Sequence, residues 1–340
     1  MMVALGQPGQ YTEFAPELLE EGRDFVVLRT EDSSVKVFRE VEDYFGPDSR
    51  LSNGLYDLKT KGATTSPCFN GGPAMYYEHI FNGAAVDNWR SEYAPELNDQ
   101  IFTDLTNNSV KVVWPRATSL WNLRSSITYE LGDDGVDFTF EVKTPATEAE
   151  VAEIAPLGWF GCMFASYTRS IHSSDRSFQF YGVESQVMDF RWFQVSIPNF
   201  GWKKFGDSKE RGTIGPYRVD PLPYEEEAGG INAHQREDLH SLSPMYFSVV
   251  QPNEGSPPMI FAMLFDQTQS VRFALFGGDE LGGPTAYDWH FIVRQPQPDT
   301  KYRLRAKLIY EPLPEEGMSE RKLRSYIQQK WFWWWWFLHH

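Results

Sequence analysis

Cysteine is nearly missing. The 340 residues hold two, Cys68 and Cys162, and neither belongs to a CxxC pair. That excludes a zinc ribbon and a disulfide framework, and the expected state of both is a buried free thiol. Positive charge is also short. Lys and Arg number 31 against 47 Asp and Glu, a formal net charge of −16, which repels a phosphate backbone and an anionic membrane alike, so nucleic acid is not an expected partner. No apolar run approaches the roughly 20 residues that a membrane span needs. The opening "MMVALGQPGQYTEF" has neither a basic n-region nor an apolar stretch of signal-peptide length, so a cytoplasmic or already processed protein is expected. No glycine-rich phosphate loop, HExxH or Ser-His-Asp order occurs, which removes nucleotide enzymes, zincins and serine hydrolases; no cofactor and no metal site are expected.

Helical periodicity is scarce as well. It is confined to 15–22, a turn near 94–98, and "GMSERKLRSYIQQK" at 317–330. What fills the chain instead is apolar–polar alternation rich in Val, Ile, Phe, Tyr and Trp, the pattern of strands with one buried face. It recurs from "DFVVLRT" (24–30) through "SVKVVWP" (109–115), "SLWNLRSSITYEL" (119–131), "VDFTFEVKT" (136–144) and "WFGCMFASYT" (159–168) to "KYRLRAKLIYEP" (301–312). The turns "GDDG" (132–135) and "DQTQ" (266–269) each read as joining a pair of strands. Strands in succession with hardly a helix between them exclude a parallel βαβ plan. The fold class is therefore all-β, a large antiparallel two-sheet sandwich with few short helices. It is expected as one domain over 1–316, with a helix at 317–330 and a non-native or disordered aromatic tail, "WFWWWWFLHH", at 331–340.

Sugar chemistry needs aromatic faces against the C–H surface of a ring, with carboxylates, amides and Arg at the rim. Aromatics make up 16% of this chain, and several adjoin polar residues. The interval 199–243 has no sustained period and carries Trp202, Lys203, His234 and His240, which read as a loop over a ligand cleft. Proton transfer at a sugar carbon needs an acid and a base on opposite sides. Candidate acids are His79 in "YYEHIFNG", expected on one strand face with Tyr77 and Phe81, and His172 at a strand end. Glu184, after the aromatic strand "FQFYGV", is the candidate base. Glu78, Trp121, Arg124 and Arg191 are the further candidates for ligand contact, while His290, inside "YDWHFIV", reads as a structural histidine.

With the strand succession over 24–312 and the segments "YYEHIFNG", "WFGCMFASY" and "YDWHFIVRQPQPDTKYRLRAKLIYEP", the chain resembles the galactose-mutarotase-like superfamily of β-supersandwiches, its bacterial members in particular. The resemblance implies a ligand groove on a concave sheet face, a His that protonates the ring oxygen, and a Glu that takes the proton from the anomeric hydroxyl. The nearest echo of the aldose-epimerase phrase is Glu78-His79 before Ile80-Phe81-Asn82. The expected function is a carbohydrate-active protein: an epimerase, glycosidase or lyase. The alternatives are a non-catalytic sugar binder and an assembly protein that uses its sheet face as an interface.

Overall fold

Sixteen strands and two α-helices are seen among the described residues of the computed structural model. Those residues are 25–39, 53–62, 75–82, 95, 100–119, 121–156, 158–168, 178–186, 189–197, 242–250, 257–266, 271–276, 285–314, 318 and 320–340. The helix expected at 15–22, Cys68 and most of the 199–243 interval lie outside them. Every strand pairing is antiparallel, and the architecture is an all-β sandwich.

The larger sheet has nine strands. In chain order these are β5 (Ile101–Thr103), β6 (Ser109–Trp114), β7 (Arg124–Leu131), β8 (Gly135–Lys143), β10 (Phe178–Gln186), β11 (Asp189–Ile197), β12 (Leu242–Val250), β13 (Met259–Phe265) and β16 (Lys301–Pro312). Across the sheet they run β11-β10-β12-β13-β16-β8-β7-β6-β5. Facing it are four strands, β4 (Tyr76–Phe81), β9 (Trp159–Thr168), β14 (Val271–Phe276) and β15 (Thr285–Arg294), ordered β14-β15-β9-β4. A third sheet of β1 (Phe25–Arg29), β2 (Ser34–Phe38) and β3 (Gly54–Lys59) completes the set.

One apolar cluster joins all three sheets. At its centre Tyr77, Phe164 and Trp289, which share a register row across β4, β9 and β15, stack on one another at centroid separations of 4.9 and 4.1 Å. From the larger sheet, Phe140 and Phe138 drive their edges into that stack, at 5.0 Å from Phe164 and 5.5 Å from Trp289. Offset and edge-on aromatic pairs add about 0.5–1.5 kcal/mol each beyond the area they bury. Cys162 lies in this cluster as a buried free thiol, its pKa pushed up to about 12 by burial although a hydrogen bond with Tyr77 opposes the shift.

The "GDDG" turn closes the β7–β8 hairpin as expected, with Gly132 N–H donating to Gly135 C=O at 2.8 Å. Gly135 has φ +153°, and a Cβ there would collide with the Leu308 carbonyl oxygen. "DQTQ" stands between β13 and β14 without making them a hairpin, since the two strands lie in different sheets. A short helix that the periodicity does not announce, α1 (Glu148–Ile154), starts at a capping box formed by Thr147 and Glu150. The box supplies partners for backbone donors that a bare helix end leaves unmade.

The aromatic tail differs from the disordered end expected of it. Residues 331–339 continue the preceding turns as one helix, α2 (Glu320–His339). Leu323 and Ile327 pack with Ile260, Ala262, Leu264 and Ile309 in a second apolar cluster on the outer face of the larger sheet, and Trp331 and Trp334 extend it. The Trp331 indole N–H donates to the Phe265 carbonyl at 3.1 Å, and that of Trp334 to the Asp137 carboxylate at 2.6 Å. Lys330 bridges Glu311 at 2.7 Å and Asp134 at 3.1 Å.

Candidate functional site

The segment "YYEHIFNG" contains β4, and β4 does not run in simple alternation. Tyr77 lies opposite Phe164 of β9, yet His79 lies opposite Met163, so Glu78 is an extra residue in a β-bulge. Tyr77 and Ile80 therefore both enter the core. The expectation that His79 shares a face with Tyr77 is overturned: a bulge inverts the side-chain parity beyond it. Asn53 supports this point of the strand. Its buried side-chain amide donates to Tyr77 C=O at 2.9 Å and its oxygen accepts from Tyr77 N–H at 3.0 Å, so one side chain pairs both backbone groups beside the bulge.

Beyond the bulge, the register assembles a row that the chain order does not display. His79 on β4 lies opposite Met163 on β9, Met163 opposite His290 on β15, and His290 opposite Arg272 on β14. The adjoining row on the same face is Tyr76, Ala165, Asp288 and Ala274. Both alternate with the core row of Tyr77, Phe164 and Trp289, so they occupy the face of the four-stranded sheet turned away from the sandwich interior. Three of its side chains are buried nonetheless: His290 is 1% exposed, and Tyr76 and Met163 are each 4% exposed. Neighbouring strands are about 4.8 Å apart, which puts the backbone positions of the two histidines about 10 Å from each other.

The other sequence candidates scatter. Glu78 is half-buried at the bulge. Glu184 belongs to β10 in the larger sheet, opposite Arg191 on β11, so strand pairing unites those two and does not join them to the histidine row. Trp121 is half-buried against the main core, and Arg124 is exposed at the start of β7. His172, Trp202, Lys203, His234 and His240 lie outside the described residues. Of the row members that sequence reasoning did not assign to a ligand, His290 and Arg272, His290 carried a readable signal: in "DWHF" a core Trp separates Asp288 from His290, which sets both on the opposite face. Among the described residues no cluster of His, Cys, Asp and Glu could hold a metal ion, and no helix is long and apolar enough to cross a membrane.

No family model and no curated protein matches the chain. Solved structures similar to it include a galactose mutarotase-like protein from Lactobacillus casei ATCC 334, 9% identical, with 84% of this chain and 100% of that chain covered and a TM-score of 0.47. Another is the alpha-galactosidase from Lactobacillus brevis, 8% identical, with 85% of this chain and 39% of that chain covered and a TM-score of 0.40.

Proposed function

We propose that the chain binds a carbohydrate on the outer face of the four-stranded sheet and that His79 and His290 act on it. The observation that carries this reading is the register row His79–Met163–His290–Arg272, with Asp288 in the row beside it. Polar residues at strand-centre positions of one sheet face give a site both donors for hydroxyls and groups that exchange protons near neutral pH. Acid and base positions about two strands apart leave room for one sugar ring between them. In this reading an imidazole protonates the ring or bridging oxygen while a carboxylate takes a proton from the opposite side. Asp288, in the adjoining row of the same face, is the candidate for that carboxylate, and Arg272 orients a hydroxyl or an acidic substituent.

The test is a thermal-shift panel of mono- and oligosaccharides, uronic acids included, on the wild type, His79→Gln and His290→Gln. One sugar class should raise the wild-type midpoint, since a ligand at 100 times its Kd stabilises by about 2.7 kcal/mol. Both variants should lose that response while still melting cooperatively. Wild type that responds to no sugar, or variants that respond as it does, would reject the reading. Anomer interconversion followed by NMR then separates an enzyme from a binder.

A further inference from the structure

The outer face of the larger sheet carries a concentration of positive charge that the chain's net charge of −16 conceals. Arg124 on β7 lies opposite Lys143 on β8, and Lys143 opposite Lys301 on β16. Like charges directly opposite one another destabilise a sheet, yet three cations here occupy consecutive strands of one row. The next row on these strands is Ser126, Glu141 and Arg303, followed by Thr128, Thr139 and Arg305 with Lys111 of β6 at its end. Glu141 receives Arg303 at 2.6 Å, Lys301 at 3.5 Å and Lys111 at 3.7 Å, while Asp299 receives Lys143 at 2.6 Å. Asp266 accepts from the Arg305 backbone N–H at 3.2 Å. Six cations thus stand in three rows with one carboxylate among them and two at the margin. The strip ends at the following row, where Glu130 and Asp137 precede Lys307.

We propose that this strip is a docking surface for an acidic polysaccharide. The cations of the first row follow one another at the strand spacing of about 4.8 Å on an open sheet face, an arrangement suited to an extended chain that engages several at once. The half-buried Thr128 and Thr139 add hydroxyls beside them, matched to a hydroxyl-rich ligand. Nucleic acid fits less well. These positions on β7, β8 and β16 include no aromatic residue on which bases could stack, and a duplex brings one charge per about 1.7 Å against a chain that is acidic elsewhere. A uronate polymer brings one carboxylate per ring. The strip lies across the sandwich core from the histidine row, so this inference is independent of the reading proposed above.

The probe is immobilised polygalacturonate, with dextran and duplex DNA as controls, on the full chain at low salt. Wild type should be retained on polygalacturonate, released by rising salt, and retained on neither control. Arg124→Glu/Lys301→Glu, which changes exposed positions, should bind about tenfold more weakly. Glu141→Gln removes the carboxylate inside the strip and should bind more tightly, a gain that a misfolded variant could not produce. The proposal falls if wild type is not retained, if the double variant is retained equally, if Glu141→Gln weakens retention, or if DNA competes as well as polygalacturonate does.

Discussion

The outer face of the nine-stranded sheet has two unlike halves. Under α2 it presents Ile260, Ala262, Leu264 and Ile309; across β7, β8 and the start of β16 it presents Lys, Arg, Glu and Thr. The sequence difference is visible along single strands. In β13, "MIFAMLF" is buried at every position, whereas β8, "GVDFTFEVK", alternates. A continuous apolar run marks a strand covered on both faces, and strict alternation marks one covered on a single face. The covering element for β13 is α2, including the tryptophans that look alien to the rest of the chain.

A buried charge breaks this comparison most sharply. Leu264→Asp would place a carboxylate without a planned partner under α2 and should cost about 4 kcal/mol. Thr139→Asp, on the open half, should change stability by less than about 0.5 kcal/mol. Urea titration of both variants measures the contrast, and equal midpoints would mean that α2 does not cover Leu264. Ile327→Ala approaches the same interface from the helix side. It deletes a fully buried side chain and should cost about 3 kcal/mol, with the loss appearing as a lower urea midpoint.

How much of this was legible depends on the range of the interaction involved. Alternation identified β8 and β16 because burial of one face is written into each strand separately, and "GDDG" identified its hairpin because the turn is local. Thr147 and Glu150 stand in the sequence at the right spacing for a helix start, but the seven residues of α1 are too few for a periodic signal. The bulge at Glu78 changes no composition; it exists through pairing with β9 and the Asn53 clamp. The candidate site is less legible still. His79 and His290 meet in one row only because β9 pairs with both β4 and β15, a relation between distant segments that neither segment encodes alone.

The two halves should also differ under acid and salt. Burial pushes the Asp134 carboxyl up, but Lys307 and Lys330 outweigh it and hold the group below its ordinary value of 3.8. Burial likewise raises Glu141, and Arg303, Lys301 and Lys111 together hold it below 4.5. A carboxyl whose folded pKa is lowered contributes stability above its ordinary pKa and loses that contribution as pH falls through the folded value. Stability should therefore decline below about pH 4.5, and Asp134→Asn and Glu141→Gln should each flatten part of the decline, as read from melting temperature against pH. Salt at about 1 M should erase more of the Glu141 contribution than of the Asp134 one, since the partners of Glu141 include the exposed Lys301 and Arg303. Equal salt sensitivity would remove the distinction between the halves.

The smallest effect is the most discriminating. Arg124→Glu converts a like-charged cross-strand contact with Lys143 into an opposite-charged one, and on the sheet alone this should stabilise the fold by about 0.5 kcal/mol. The same substitution should weaken retention on polygalacturonate. A surface residue that lowers stability while raising affinity is the pattern expected where binding, and not folding, accounts for its charge. Urea midpoints at unchanged slope measure the first effect and the retention assay the second. If Arg124→Glu destabilises the chain, the cation row has a structural role that the register does not reveal, and its charge no longer argues for a ligand.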